Sequence, residues 1–187
     1  MPDTPESVTY LIVDGENIDA TLGNSVLDRR PAPAERPRWE RLREFAQETW
    51  QQPVKGLFFL NASGGTLPMP FVRALLSMEY RPIPLAGSSD QKVVDIGIQR
   101  TLEAIAQREG NVLLASHDGD FLPHIDQLLR SDRQVGVVGF KEFLNAGFAD
   151  LNGLQLFDIE EDAGCFTSVL PRVRIIDLDS FNPERFL

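Results

Sequence analysis

The chain has 187 residues, of which 42% are hydrophobic and 25% are charged, a composition that suits one globular domain with a sizeable core. No apolar run approaches the roughly 18 residues that a membrane-spanning helix needs, and the acidic start, residues 1–6, lacks the basic residues of a signal peptide. A single cysteine, Cys165, excludes an intramolecular disulfide framework and favours a reducing compartment, so we expect a cytoplasmic protein with no membrane partner.

The charge is unevenly distributed along the chain. The net charge of −10 argues against a surface that binds nucleic acid indiscriminately. Residues 142–171 contain no Lys or Arg, whereas the region from Arg29 to Arg43 carries six arginines. A solvated loop is the simpler interpretation of these arginines, and a loop that binds the backbone of a nucleic acid is the alternative.

Short apolar runs alternate with stretches of helical apolar spacing along the first 140 residues. Strands are predicted at residues 8–13, 54–60, 81–85, 112–116 and 135–140. Helices are predicted at about residues 17–27, 39–50, 68–78, 93–106 and 118–130. The strand at 81–85 contains two prolines, so we expect it at an edge of the sheet. This alternation predicts an α/β fold whose mostly parallel sheet of about five strands is covered on both faces.

The pattern loosens after residue 150. We therefore divide the chain into a main domain, residues 1–150, and a C-terminal extension, residues 151–187, which packs on the same domain or on a partner subunit. A short strand is predicted at residues 154–159. The apolar run 173–178 suits either a further strand of the same sheet or a strand added to the exposed edge of a neighbouring subunit. The second possibility predicts a homodimer.

Four aspartates stand at the positions where such a fold places its chemistry. Asp14, Asp118 and Asp120 follow predicted strands, and Asp95 lies in the first turn of a predicted helix. If the first and fourth strands are neighbours, all four carboxylates lie at one edge of the sheet. Clustered carboxylates repel one another, and a hard cation such as Mg²⁺ or Mn²⁺ removes that repulsion. Each aspartate alone also suits a helix N-cap, which is the structural alternative.

Three segments in order resemble the motifs of the NYN, or LabA-like, domain family. They are residues 14–18 (DGENI), residues 92–95 (KVVD) and residues 116–121 (SHDGDF). The resemblance extends over roughly residues 8–140. Because the family is similar to PIN-domain nucleases, the resemblance implies a Rossmann-like α/β/α sandwich and metal-dependent cleavage of RNA. The resemblance also implies that the four aspartates are the catalytic residues and metal ligands.

The same motifs suggest roles for three further side chains. The resemblance implies that Asn17 orients a ligand or a water and that Lys92 faces the substrate phosphate. Ser116 suits a hydrogen bond to Asp118 or to a substrate oxygen, and an ordinary small residue at the end of a strand is the alternative. For His117 a structural role is favoured, because metal-assisted hydrolysis does not require a histidine.

A metal-dependent endoribonuclease is the function that these observations predict. The main alternative is a non-catalytic module that binds RNA or protein and keeps the fold. A phosphatase or phospho-acceptor domain ranks lower, because residues 14–16 (DGE) lack the second aspartate of the D-x-D phosphatase pattern.

Overall fold

The computed structural model describes residues 7–88, 90 and 92–187. The acidic start, residues 1–6, and residues 89 and 91 therefore lie outside the described residues. The strands are β1 (Thr9–Asp14), β2 (Val54–Asn61), β3 (Tyr80–Leu85), β4 (Asn111–Ala115), β5 (Val135–Gly139) and β6 (Gln155–Asp158). The helices are α1 (Gly15–Thr21, continued by a π-helical turn, Leu22–Val26), α2 (Trp39–Trp50), α3 (Met69–Ser77), α4 (Val93–Ala106) and α5 (Leu122–Leu129).

The six strands form one parallel sheet in the order β3-β2-β1-β4-β5-β6. The predicted α/β fold is confirmed, and β1 and β4 are neighbours as expected. The sheet has one strand more than expected, because the short run Gln155–Asp158 pairs with β5. The strand order reverses between β1 and β4, and in such sheets the crevice beyond the carboxyl ends at the reversal is where ligands bind.

Alternating side chains of the strands pack against helices on both faces of the sheet. Leu11 and Val13 of β1 pack with α1, α2 and α3, whereas Ile12 packs with α4 and α5. This period of two is what a strand buried on both faces requires. Among the described helices, none is both long and apolar enough to cross a membrane.

The edge strand β3 carries Pro82 and Pro84, as expected from its sequence. A proline cannot donate a backbone hydrogen bond, so this edge offers fewer groups to which another strand could pair.

Residues after 150 complete both the sheet and the core. Strand β6 extends the sheet beyond β5, and Ile159, Cys165 and Leu170 are buried in the core on the α1–α3 side. The Arg38 backbone N–H donates to the Cys165 carbonyl oxygen at 2.7 Å, which ties this segment to the start of α2. Burial raises the pKa of the Cys165 thiol to about 12, so this cysteine is an apolar core residue and not a reactive thiol.

The last segment, residues 171–187, which we call the C-terminal arm, lies on an acidic surface. Arg172 forms ion pairs with Glu142 and Glu160, and Arg174 forms one with Asp158 at 3.1 Å. The apolar residues that alternate with these arginines point outward, since Val173 and Ile175 are fully exposed. The run 173–178 is therefore not a strand of this sheet, because its alternation directs charge towards the body and apolar groups towards solvent.

The predicted homodimer can be tested on these two exposed side chains. Replacing Val173 and Ile175 together with serine removes the outward apolar face of the arm and leaves its ion pairs intact. If the arm joins two subunits, light scattering will show a dimer for the wild type and a monomer for the double variant. Because surface changes of this kind typically alter the free energy of unfolding of the single chain by no more than about 0.5 kcal/mol, the double variant should still unfold cooperatively as a folded monomer. A monomeric wild type would contradict the prediction.

Candidate metal centre

Three of the predicted aspartates meet at the carboxyl edge of the sheet. Asp95, Asp118 and Asp120 each offer a carboxylate oxygen within 4.8 Å of the others. Asp95 lies in the first turn of α4, and the other two lie in the loop that follows β4. Asp118 also accepts the Asp120 backbone N–H at 2.9 Å, so it caps the turn at Gly119–Phe121 while it faces the cluster.

Lys92 is the cation closest to this cluster among the described ion pairs. Its Nζ lies 3.4 Å from Oδ2 of Asp120 and 3.8 Å from Oδ2 of Asp95, and its side chain is 72% exposed. The hydrogen bond to Asp120 raises the pKa of Lys92, which keeps the ammonium charged. One ammonium faces three carboxylates, so the cluster retains an excess of negative charge.

Asp14 lies beneath these three carboxylates, at the end of β1, and is only 3% exposed. Its Oδ2 accepts a hydrogen bond from the Ser116 hydroxyl at 2.9 Å. The pKa of Asp14 is raised to about 6, mainly by burial and also by the negative charges of Asp95 and Asp118, while the hydrogen bond from the Ser116 hydroxyl opposes the rise. Asp14 is outside the set of three carboxylates that approach within 4.8 Å, yet their charges act on it.

Ser116 connects the deep and the outer part of the site. Its hydroxyl donates to Asp14 and accepts the Asp118 backbone N–H at 3.2 Å. The side chain is fully buried. Ser116 therefore bonds to two aspartates in this structure, one of them the predicted Asp118, and its contact with substrate stays a prediction.

His117 and Asn17 form, together with the backbone of Phe140, an arrangement that we call the histidine clamp. The imidazole Nε2 accepts the Phe140 backbone N–H at 2.8 Å, so Nδ1 carries the proton and donates to Asn17 Oδ1 at 2.9 Å. The same Asn17 oxygen accepts the His117 backbone N–H at 2.8 Å. Burial lowers the pKa of His117 to about 4, so the ring is neutral at physiological pH.

The clamp joins three strand ends across the sheet and leaves little room for substitution. The His117 ring stacks on Phe140 with 5.8 Å between ring centroids, and a Cβ at Gly139 would lie 2.7 Å from Nε2. Asn17 is thereby engaged through its oxygen, and a ligand contact would have to use its amide nitrogen. The sequence suggested a structural His117 but gave no signal for this partner, because Phe140 takes part through its backbone.

We expect the His117→Ala substitution to lower the free energy of unfolding by about 3 kcal/mol. Truncation leaves a cavity and deprives the buried Phe140 N–H of its acceptor, and an unpaired buried group alone costs about 1–3 kcal/mol. The thermal midpoint should fall by roughly 6–12 °C at this chain length. The other histidine, His124, bonds Glu103 near the surface, so His124→Ala is the matched control. An equal loss of unfolding free energy in His117→Ala and His124→Ala would contradict a stabilising role for the histidine clamp.

Most arginines of the region from Arg29 to Arg43 have partners within the protein. The pairs are Arg29 with Glu35, Arg36 with Asp19, Arg41 with the carbonyls of Gly164 and Phe166, and Arg43 with Glu79. These contacts fix the loop between α1 and α2 and tie α2 to its neighbours. They also reduce the cationic surface that this region offers to a nucleic acid.

The donor set at the sheet edge fits a hard divalent cation. The converging ligands are carboxylate oxygens, which Mg²⁺ and Mn²⁺ prefer, and the set contains no sulfur ligand. Burial and the charge of Asp118 both raise the pKa of Asp95, which shows that the carboxylates disfavour one another's ionisation. Asp95, Asp118 and Asp120 could therefore hold a divalent ion, with the buried Asp14 close enough for its carboxylate to feel the charges of Asp95 and Asp118.

The NYN domain model matches residues 8–150 of the sequence, which include the strands β1–β5 and the four aspartates Asp14, Asp95, Asp118 and Asp120. This chain belongs to the NYN-domain family. NYN domains are part of the PIN-like nuclease superfamily, so the resemblance noted in the three sequence motifs is confirmed. Membership in the family indicates a nuclease as the general class of function.

The fold of this NYN domain is also found among solved structures. One example is the crystal structure of a protein of unknown function from Vibrio parahaemolyticus, with a TM-score of 0.67 and 18% sequence identity. The similarity covers 87% of this chain and 98% of that one. At this level of identity the comparison supports the fold alone. Among proteins with curated descriptions, none matches the sequence.

Proposed function

We propose that this NYN domain is a metal-dependent endoribonuclease that hydrolyses RNA phosphodiester bonds. The observation that carries the proposal is the convergence of Asp95, Asp118 and Asp120 within 4.8 Å at the topological switch of a PIN-like fold. Mg²⁺ or Mn²⁺ is the proposed cofactor. When bound, such an ion would polarise a phosphate oxygen and lower the pKa of the attacking water.

The proposed site uses its aspartates in two layers. The outer three carboxylates hold the ion, and Asp14 adds negative charge from below. Asp14 remains in the proposed set because its carboxylate is coupled electrostatically to Asp95 and Asp118. Ser116 and the histidine clamp keep these carboxylates in place, since they bond Asp14, the Asp118 backbone and the start of α1.

Lys92 is the proposed phosphate contact. Its ammonium now neutralises part of the carboxylate cluster, and it is exposed enough to reach a ligand. Once the carboxylates are neutralised by a cation, the ammonium can turn from Asp120 to a non-bridging phosphate oxygen. Asn17, through its amide nitrogen, is the proposed second substrate contact.

Cleavage of labelled single-stranded and structured RNAs tests the proposal. We expect internal cleavage in Mg²⁺ or Mn²⁺, none in EDTA, and recovery when metal is returned in excess. DNA of the same sequence shows whether the 2′-hydroxyl matters to recognition. Cleavage that persists in EDTA would refute a metal-dependent mechanism.

A non-catalytic module that binds RNA or protein is the alternative. It is motivated by the net charge of −10 and by the internal pairing of the arginines, because both reduce the cationic surface with which a nuclease would hold RNA. Tight RNA binding in EDTA, with no turnover in any metal, would establish this alternative.

A further inference from the structure

An open cavity of about 460 Å³ lies beside the candidate metal centre, at the carboxyl ends of β1 and β2. It is on the α2–α3 side of the sheet, whereas Asp95 approaches from α4 on the opposite side. Its walls are largely apolar, formed by Trp39, Phe58, Leu60 and Phe71. The volume falls in the range of roughly 300–1,000 Å³ that is typical of small-molecule sites.

The aromatic walls are held rigidly. Phe58 contacts Trp39 and Phe71 edge to face, with 5.0 Å and 5.4 Å between ring centroids. The Tyr80 hydroxyl donates to the Trp39 carbonyl oxygen at 2.7 Å, which fixes the start of α2. Trp39 and Phe58 are nearly buried, and Phe71 is half-buried at the mouth. A preformed aromatic wall suits a flat ring, because stacking then costs little ordering of the protein.

Polar groups stand at one side of this apolar cavity. Glu16, Asp19 and Arg36 line it, and Arg36 pairs with Asp19 at 3.1 Å. Carboxylates accept hydrogen bonds from amino groups, and the guanidinium donates to carbonyl oxygens. This combination of aromatic faces and mixed donors and acceptors complements a nucleobase, which has a stacking face and a polar edge.

The chain itself connects the cavity to the candidate centre. Gly15 and Glu16 line the cavity and directly follow Asp14, while Asn17 turns to the opposite side and bonds His117. The Gly15 backbone passes so close to the Phe58 ring that an added Cβ would lie 2.4 Å from it. The first turn of α1 therefore links the cavity to Asp14, and an RNA strand laid across this turn would approach both the cavity and the aspartate edge.

We propose that this cavity binds one unpaired nucleobase of the RNA, adjacent to the phosphate that lies at the aspartates, and prefers bases with an exocyclic amino group. This inference rests on the proposed RNA-cleaving function and adds a substrate class: single-stranded RNA with cytosine, adenine or guanine next to the cleaved bond. The Glu16 carboxylate accepts from the amino group. Uracil presents a carbonyl oxygen where cytosine has that amino group, so the same carboxylate repels it.

The first experiment measures binding in EDTA, where no turnover occurs, with fluorescein-labelled oligocytidylate, oligouridylate and an abasic ribose-phosphate oligomer. Phe71→Ala should weaken oligocytidylate binding roughly five- to hundredfold, as expected for the loss of a base-stacking ring. Affinity for the abasic oligomer should not change. Phe45→Ala is the matched control, because Phe45 is half-buried and packs edge to face on Phe157, away from the cavity. Equal affinity of Phe71→Ala and Phe45→Ala for oligocytidylate would overturn the proposal.

The second experiment tests the polar edge. Glu16→Gln should bring the affinities for oligocytidylate and oligouridylate close together, whereas Glu44→Gln, on the exposed face of α2, should leave the wild-type preference unchanged. Cleavage in Mn²⁺ of RNAs that differ only in cytidine or uridine beside the cut distinguishes the two proposals. Cleavage without this preference would overturn the base pocket and leave the nuclease. Preferential binding that depends on Phe71, with no cleavage in any metal, would leave the pocket and overturn the nuclease.

Discussion

Asp118→Asn is expected to lower the rate of metal-dependent RNA cleavage by at least about a hundredfold, because loss of even an outer partner of a metal site typically costs ten- to hundredfold. The substitution removes one charge from the cluster of three carboxylates. Asparagine is an equally good N-cap, so its side-chain oxygen can still accept the Asp120 N–H and the loop should keep its shape. Single-turnover cleavage of a labelled RNA in Mn²⁺ measures the effect.

The control for this prediction is Asp132→Asn. Asp132 is exposed in the turn before β5, and its replacement removes the same charge at a distance from the cluster. A second readout is the rise in thermal midpoint that Mn²⁺ produces, which should shrink in Asp118→Asn and persist in Asp132→Asn. Equal cleavage by the wild type and Asp118→Asn would mean that the activity comes from a contaminant or from another site.

Asp14→Asn is expected to make the metal-free protein more stable at pH 7 while it impairs cleavage. The raised pKa of Asp14, about 6 against 3.8, means that the folded state holds a proton that the unfolded state has released between these values. The preference of folded Asp14 for its proton stabilises the fold at pH below about 4, and this stabilisation is lost as the pH rises through 6. At pH 7 the buried carboxylate therefore costs about 3 kcal/mol, which a neutral asparagine avoids.

Thermal unfolding in EDTA measures this effect. The midpoint of Asp14→Asn should exceed that of the wild type by roughly 6–12 °C at pH 7. The difference should disappear as the pH falls below the ordinary carboxyl pKa of 3.8, because Asp14 is then neutral in both the folded and the unfolded state. The lowered pKa of His117 makes the folded state less stable in acid. Because this effect is present in both the wild type and the variant, it cancels when their midpoints are compared. A variant less stable than the wild type at pH 7 would show that Asp14 is stabilised as a carboxylate without metal.

Stability and function are thus opposed at this position. A buried carboxylate that the fold alone would rather protonate is the kind of group that a cation can stabilise. Metal binding should release protons from the site, and affinity should increase as the pH rises from 5 to 7. Functional sites often retain such unfavourable groups at a cost to the stability of the whole protein.

The fold and the aspartate edge could be predicted because they depend on local patterns and simple topology. Apolar runs of strand length reveal β1, β2 and β4, and parallel strands end at a common edge. Asp118 and Asp95 follow from that rule without knowledge of any side-chain contact. The edge position of β3 follows from its prolines, since they remove backbone donors.

The interior of the site depends on contacts between distant segments, which the sequence does not encode in any short pattern. Ser116 turns inward because Asp14, 102 residues earlier, needs a donor in a buried position. His117 accepts a hydrogen bond from a backbone N–H that any residue other than proline would supply at position 140. The run 173–178 has the apolar content of a strand, but Arg174 within it and Arg172 just before it pair with carboxylates on the body instead.

Strand β6 lies beyond residue 150, so the folded domain includes more of the chain than the segment that matches the NYN family. The family match ends at residue 150, yet β6 covers the edge of β5, and Arg172 and Arg174 neutralise Glu160, which is almost completely buried. A chain shortened to residue 150 would present β5, an apolar strand, as an unprotected edge open to pairing with other molecules. Such a fragment should aggregate on expression, whereas one that retains the arm should remain dispersed.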